Sequence, residues 1–145
     1  MSTYTHLLVA VDFSKSTDSI VSKALALARV DAARTSLVHV VEFAHVDLSN
    51  ELVMPQELAL DQELLGLAEG RLQALADRHG LGADQLFVRQ GSTKREILSL
   101  AEQEAVDLIV IGSHGRSGLQ LLLGSTANAV LHGALCDVLA VRVND

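Results

Sequence analysis

A chain of 145 residues is long enough for one domain with its own core and too short for two. Hydrophobic residues make up 49% of it and aromatics only 3%, so the core is expected from Leu, Val, Ile and Ala, the composition of interleaved strands and helices. The net charge of -7 excludes broad attraction to nucleic acid or anionic lipid, and the single cysteine, Cys136, excludes an internal disulfide. No secretory leader pattern opens the sequence, and no apolar run approaches the roughly 20 residues that span a bilayer. The expectation is a cytoplasmic protein with no membrane partner.

The first apolar run, residues 6 to 11 (HLLVAV), is continuous rather than alternating, which predicts a strand buried on both faces of a parallel sheet. It stops at Asp12. Ile20, Ala24, Leu27 and Ala28 then recur at helical spacing and predict a helix from about Ser16 to Asp31, with Ser16 or Thr17 as its cap. A second strand, Ser36 to Val41, completes a βαβ unit. Residues 43 to 54 are mixed in polarity and end at the only proline, Pro55, which predicts a loop leading into a helix. That helix carries Leu65, Ala68, Leu72 and Leu75 on one face and stops at Gly80.

The third strand, Gln85 to Gln90, is polar enough for a sheet edge, and Gly91 ends it. Thr93 stands three residues before Glu96, the spacing of a capping box, ahead of a helix with Ile97, Leu100, Ala101 and Ala105. Leu108 to Ile111 reads as the fourth strand. A last helix presents Ala127, Val130, Leu131 and Ala134, and a fifth strand runs from Val138 to Val143. Strands and helices in this alternation imply α/β architecture: a single open five-stranded parallel sheet with helices on both faces, forming one domain over residues 1 to 145.

Ligands of such sheets bind beyond the carboxyl ends of the strands, where strand order reverses. The stretch GSHGRSGLQLLLGS, residues 112 to 125, follows the fourth strand directly. Its glycines permit close approach of main-chain N–H groups, and Gly124, Ser125 and Thr126 open a helix whose first amides and dipole favour an anion. The same residues would also serve as a plain turn and helix cap. Neither G-x-x-x-x-G-K-[ST] nor G-x-G-x-x-G occurs, which excludes a Walker NTPase and a dinucleotide dehydrogenase.

The segments LLVAVDFS, LVHVVE, VDLIVIGSHGRSG and LLLGSTANAVL, followed by CDVLAVRV, resemble those of universal stress proteins, the UspA-like domains, in order and position over almost the whole chain. The resemblance implies a Rossmann-like sheet of the adenine-nucleotide alpha-hydrolase type with strand order 3-2-1-4-5. It also implies a homodimer through the C-terminal edge strand, and ATP or AMP as ligand with Mg2+ or Mn2+ riding on the phosphates. Carried over residue by residue, it places Asp12 at the nucleoside, Val40 beside the adenine, and Gly112, His114, Gly115, Gly124 and Ser125 around ribose and phosphates. Arg116 and Thr126 join them as candidate phosphate contacts. The binding members' pattern is G-x2-G-x9-G-[ST], whereas eight residues separate Gly115 from Gly124 here. Similar spacing marks the founding branch, described as not binding ATP, so three functions stand: an ATP- or AMP-binding stress sensor or switch, a dimeric interaction protein without nucleotide, and, behind both, an enzyme hydrolysing ATP slowly.

The remaining residues add no catalytic machinery. Asp12 suits a ribose hydroxyl or an adenine amino group, or the cap of a strand-to-helix turn. His39, in an apolar strand, reads as a core or interface histidine, and His114, between loop glycines, as ligand-facing. Arg116 would steady a phosphate or lie solvated. Ser113 and Ser117 near His114 lack the G-x-S-x-G elbow of a hydrolase. The histidines show no metal-site spacing, no general base for water on a phosphoryl group is visible, and Cys136 reads as a small buried apolar residue.

Overall fold

The computed structural model describes residues 3–42, 55–113 and 124–143, with side chains from residue 59 onward in the second segment. Five strands alternate with four helices: β1 (His6–Ala10), α1 (Thr17–Asp31), β2 (Arg34–Val41), α2 (Pro55–His79), β3 (Leu86–Gln90), α3 (Thr93–Gln103), β4 (Leu108–Gly112), α4 (Ser125–Gly133) and β5 (Asp137–Val141). A short 3-10 turn at Ala83–Gln85 leads into β3. All pairings are parallel and the sheet order is β3-β2-β1-β4-β5. The α/β class, the strand order and the two edge strands expected from the sequence are therefore present.

Each strand sends alternate side chains to opposite faces, so one apolar run serves two cores. Leu7, Val9, Leu37 and Val110 meet Ile20, Val21 and Ala24 of α1 and Leu72 and Leu75 of α2. On the other face Leu8, Val38, Val40, Ile109 and Ile111 meet Ile97 and Leu100 of α3 and Ala127 and Val130 of α4. Both faces are covered, which is why the central strands contain no polar alternation.

The carboxylates of three aspartates fasten the amino-terminal ends of the strands. Asp107 accepts hydrogen bonds from the Thr5 and His6 N–H groups and from the Thr5 hydroxyl at 2.8, 3.0 and 3.0 Å, tying the starts of β1 and β4 together. Asp31 accepts the Thr3 and Tyr4 amides, and the Tyr4 hydroxyl donates to Asp137 at 2.8 Å. His6, 5% exposed, donates from Nδ1 to the Glu104 carbonyl at 3.0 Å and accepts the Ser36 hydroxyl at Nε2 at 2.8 Å.

Differences from the sequence expectations lie at element ends. β2 starts two residues early, at Arg34, and β5 spans Asp137–Val141 rather than Val138 to Val143. Thr93 does not cap α3; Ser92 holds the N-cap position without a side-chain capping bond, and the Thr93 N–H donates to Glu42 Oε1 at 2.9 Å. A glutamate distant in sequence thus supplies the anion that a local capping box would have supplied. Gly80 ends α2 at φ +71°, the left-handed stop expected of it. The loop expected over residues 43 to 54 lies outside the described residues.

Candidate functional site

Strand order runs outward from β1 through β2 to β3, then returns to β4 on the other side of β1, so the switch point lies above the carboxyl end of β1. A cavity of about 320 Å³ opens there. Val38 and Val40 of β2 and Ile97 of α3 form one apolar wall, Asp12 and Thr17 lie at the β1–α1 turn, and Gly112 with Gly124, Ser125 and Thr126 forms the far end. Six of the residues singled out in the sequence are brought together: Asp12, Val40, Gly112, Gly124, Ser125 and Thr126. His114, Gly115 and Arg116 lie outside the described residues.

The apolar wall carries a backbone edge. Val11 N–H donates to the Val38 carbonyl at 2.9 Å, so the Val38 peptide groups face β1, and strand alternation turns those of Val40 the same way. A continuing parallel ladder would pair the Val40 N–H with the Val11 carbonyl. That carbonyl instead accepts His39 Nδ1 at 2.8 Å, and the chain leaves the sheet at Asp12. Among the described residues, the Val40 N–H and C=O therefore present an unused donor and acceptor to the gap between β1 and β2. His39 is a cavity-lining residue as well as a strand residue, which corrects its reading as simply a core or interface histidine.

His39 sits in a stack. Its ring lies 4.3 Å from that of Phe13, and the Arg71 guanidinium covers Phe13 at 4.4 Å. Phe13 has φ +60°, a left-handed conformation that a non-glycine residue adopts at a cost and that the flanking groups hold in place. The turn it makes delivers Asp12, whose Oδ1 accepts the Ser14 N–H at 3.0 Å and the Thr17 hydroxyl at 3.4 Å. Asp12 thus shapes the turn and lines the cavity at once.

Three helix amino termini converge here, and they differ in charge. The turn before α1 is held by Asp12 with Asp18 in its first turn, and α3 has Glu42 on its first amide with Glu96 in its first turn. The first turn of α4 has no acidic residue. The Gly124 N–H donates to the Ser113 carbonyl at 2.5 Å, and the first helical bond of α4 is Asn128 N–H to the Gly124 carbonyl. Gly124 is therefore a loop clamp rather than an amide donor to a ligand; the N–H groups of Ser125, Thr126 and Ala127 are the ones without helical acceptors. At φ -64° its backbone is open to any residue. Burial pushes the half-buried Cys136 thiol up, with Asp137 and Asp107 adding to the effect, away from thiolate reactivity.

A five-stranded parallel sheet in 3-2-1-4-5 order, with a cavity at its switch point beside one acid-free helix terminus, defines a doubly wound α/β protein built on the Rossmann plan. Residues 3–142 match the model of the universal stress protein family. The chain belongs to that family. It is 41% identical over 145 residues to universal stress protein A homolog 2 of Coxiella burnetii, covering 99% of this chain and 98% of the relative. The solved structure of universal stress protein UspA from Lactobacillus plantarum superimposes with a TM-score of 0.74 at 25% identity, over 98% of this chain and all of the other (100%). A universal stress protein crystallised in complex with cAMP shares the fold, with a TM-score of 0.58 at 23% identity over 97% of this chain and 98% of the other.

Within the described residues no helix is long and apolar enough to cross a membrane. Sequence reasoning missed Glu42, Phe13 and Arg71. Only the pairing of the acid after β2 with the start of α3, the helix that follows the neighbouring strand β3, would have flagged the first.

Proposed function

We propose that this protein binds ATP or AMP in the cavity above β1 and acts as a homodimeric cytoplasmic sensor or switch in the stress response, working as one domain without catalytic turnover. The observation that carries the reading is the unused Val40 edge. Its N–H donor and C=O acceptor complement adenine N1 and the 6-amino group, and they oppose hypoxanthine, which offers a donor and an acceptor in the reverse order. The base would lie between that edge and Ile97, the ribose hydroxyls at Asp12, and the phosphates at Ser125 and Thr126. The residues present suit those groups: an apolar slot, a carboxylate, and amides at a helix terminus without acid neighbours.

Gly112, His114, Gly115 and Arg116 would complete the phosphate end, and Mg2+ or Mn2+ would be held by the phosphates. The cAMP complex supports the reading as an instance of this fold with an adenine nucleotide. The dimer reading is supported by β5, an edge strand that leaves Leu139 39% exposed, where a second copy would pair about a twofold axis.

Calorimetry on the dialysed protein with AMP, ATP and IMP tests the proposal. AMP and ATP are expected to bind, with IMP at least about tenfold weaker because it leaves both Val40 groups mismatched. No heat from any of the three at millimolar concentration, with the protein folded, would overturn it in favour of the nucleotide-free interaction protein.

A further inference from the structure

We infer that His39 is the positioning residue that keeps the base subsite open, by taking the Val11 carbonyl away from the Val40 N–H. This inference deepens the nucleotide reading and rests on it for its consequence in binding, although the hydrogen-bond switch itself needs no ligand.

In a parallel ladder each residue that donates to one partner carbonyl accepts from the N–H two residues further along the partner strand. Val11 donates to Val38, so its carbonyl is the natural acceptor for Val40. Were that bond made, β1 and β2 would stay zipped for one more step and the Val40 amide would be lost to the crevice. His39 Nδ1 lies 2.8 Å from the same carbonyl. A carbonyl only accepts, so Nδ1 carries the proton and the ring is fixed in one orientation. The side chain of the intervening residue therefore satisfies the last carbonyl of β1 and ends the ladder there.

The contacts on the ring make the arrangement stable. Phe13 packs against the imidazole at 4.3 Å, and the Arg71 guanidinium of α2 lies over the Phe13 ring at 4.4 Å. The left-handed Phe13 turn and the open Val40 edge are thus held by one three-membered stack. His39 touches no reacting group; it acts through Val11 and Val40.

The test compares His39→Leu with His39→Asn, whose amide nitrogen can take the place of Nδ1. Backbone amide hydrogen exchange at Val40 is read by NMR without nucleotide, and AMP affinity is then read by calorimetry. In the wild type the Val40 amide exchanges freely, whereas in His39→Leu it pairs with Val11 and is protected at least about tenfold, and AMP binds about tenfold more weakly. His39→Asn restores fast exchange and most of the affinity. A Val40 amide equally protected in wild type and His39→Leu would overturn the inference whether or not any nucleotide binds. A wild type with an open amide and no affinity for AMP would instead sink the nucleotide reading and leave the switch standing.

Discussion

The two ends of the sheet use the same chemistry for opposite purposes. At the amino-terminal end, side-chain acceptors consume the loose main-chain donors: Asp107 and Asp31 take the amides of Thr3, Tyr4, Thr5 and His6, and His6 itself is bonded at both nitrogens. At the carboxyl end a histidine consumes an acceptor instead and thereby leaves a donor open, while the first turn of α4 has no acid to neutralise it. One end closes its main-chain donors, and the other, although Asp12 and Glu42 take the Ser14 and Thr93 amides, leaves the Val40 edge and the first amides of α4 open. The stabilising bonds and the proposed recognition groups are thus separated along the strands, as expected of a rigid sheet with a ligand site at one edge.

The largest expected effect of breaking that separation is at His6. His6→Leu strands the fully buried Ser36 hydroxyl and the Glu104 carbonyl, and unfolding in urea should show a loss of about 3 kcal/mol. Its AMP affinity should stay within about twofold of the wild type, because the lesion is at the closed end. A larger change in affinity would mean the two ends are coupled.

Asp107→Asn is the next test, with about 1 to 2 kcal/mol expected from weakening bonds made to a charge. Desolvation works to raise the Asp107 carboxyl, but hydrogen bonds from His6 and Thr5 outweigh it and hold the group below its ordinary value of 3.8. A depressed folded value means that the stabilisation is fully present above about pH 4 and is lost as pH falls through the folded value. The stability gap between wild type and Asp107→Asn should therefore be widest near pH 7 and shrink as the pH is taken progressively below the ordinary value of 3.8. A gap independent of pH would show that the charge of Asp107 is immaterial to the pinning.

At the open end, Asp12→Asn keeps an oxygen for the Ser14 amide and should cost under about 1 kcal/mol in stability. The same change should weaken AMP about tenfold by removing the charged acceptor for ribose hydroxyls. If Asp12→Asn unfolds the protein as readily as the lower-end variants while AMP binding is unmoved, Asp12 is only a turn residue and the contrast between the ends fails.

The continuous apolar runs HLLVAV and LIVIG made the central strands legible, because a strand buried on both faces has no polar alternation to confuse with a helix. The crevice was legible too, since Asp12 and Gly112 each end such a run. What could not be read were the bonds that join distant segments. The Thr5–Asp107 and Tyr4–Asp137 contacts span 102 and 133 positions, and nothing local distinguishes those aspartates from solvated ones. The capping box expected at Thr93 failed for the same reason, because Glu42 arrives from a neighbouring strand. For His39, strand periodicity places the residue in a wall but does not say where its ring nitrogen goes.

The clamp between the Ser113 carbonyl and the Gly124 N–H fixes the two points between which residues 114 to 123 must fit. Ser113 also donates its N–H to the Val141 carbonyl and accepts the Val143 N–H at its hydroxyl, so the start of α4 is moored to β4 and β5 rather than measured off from Gly115. Ten residues, 114 to 123, join those two points. The G-x2-G-x9-G pattern would place eleven there, and between fixed ends that one-residue difference changes the closure entropy by only about a tenth of a kcal/mol. The position of the helix terminus that faces the crevice is thus set by β4 and β5 and not by the length of the connection.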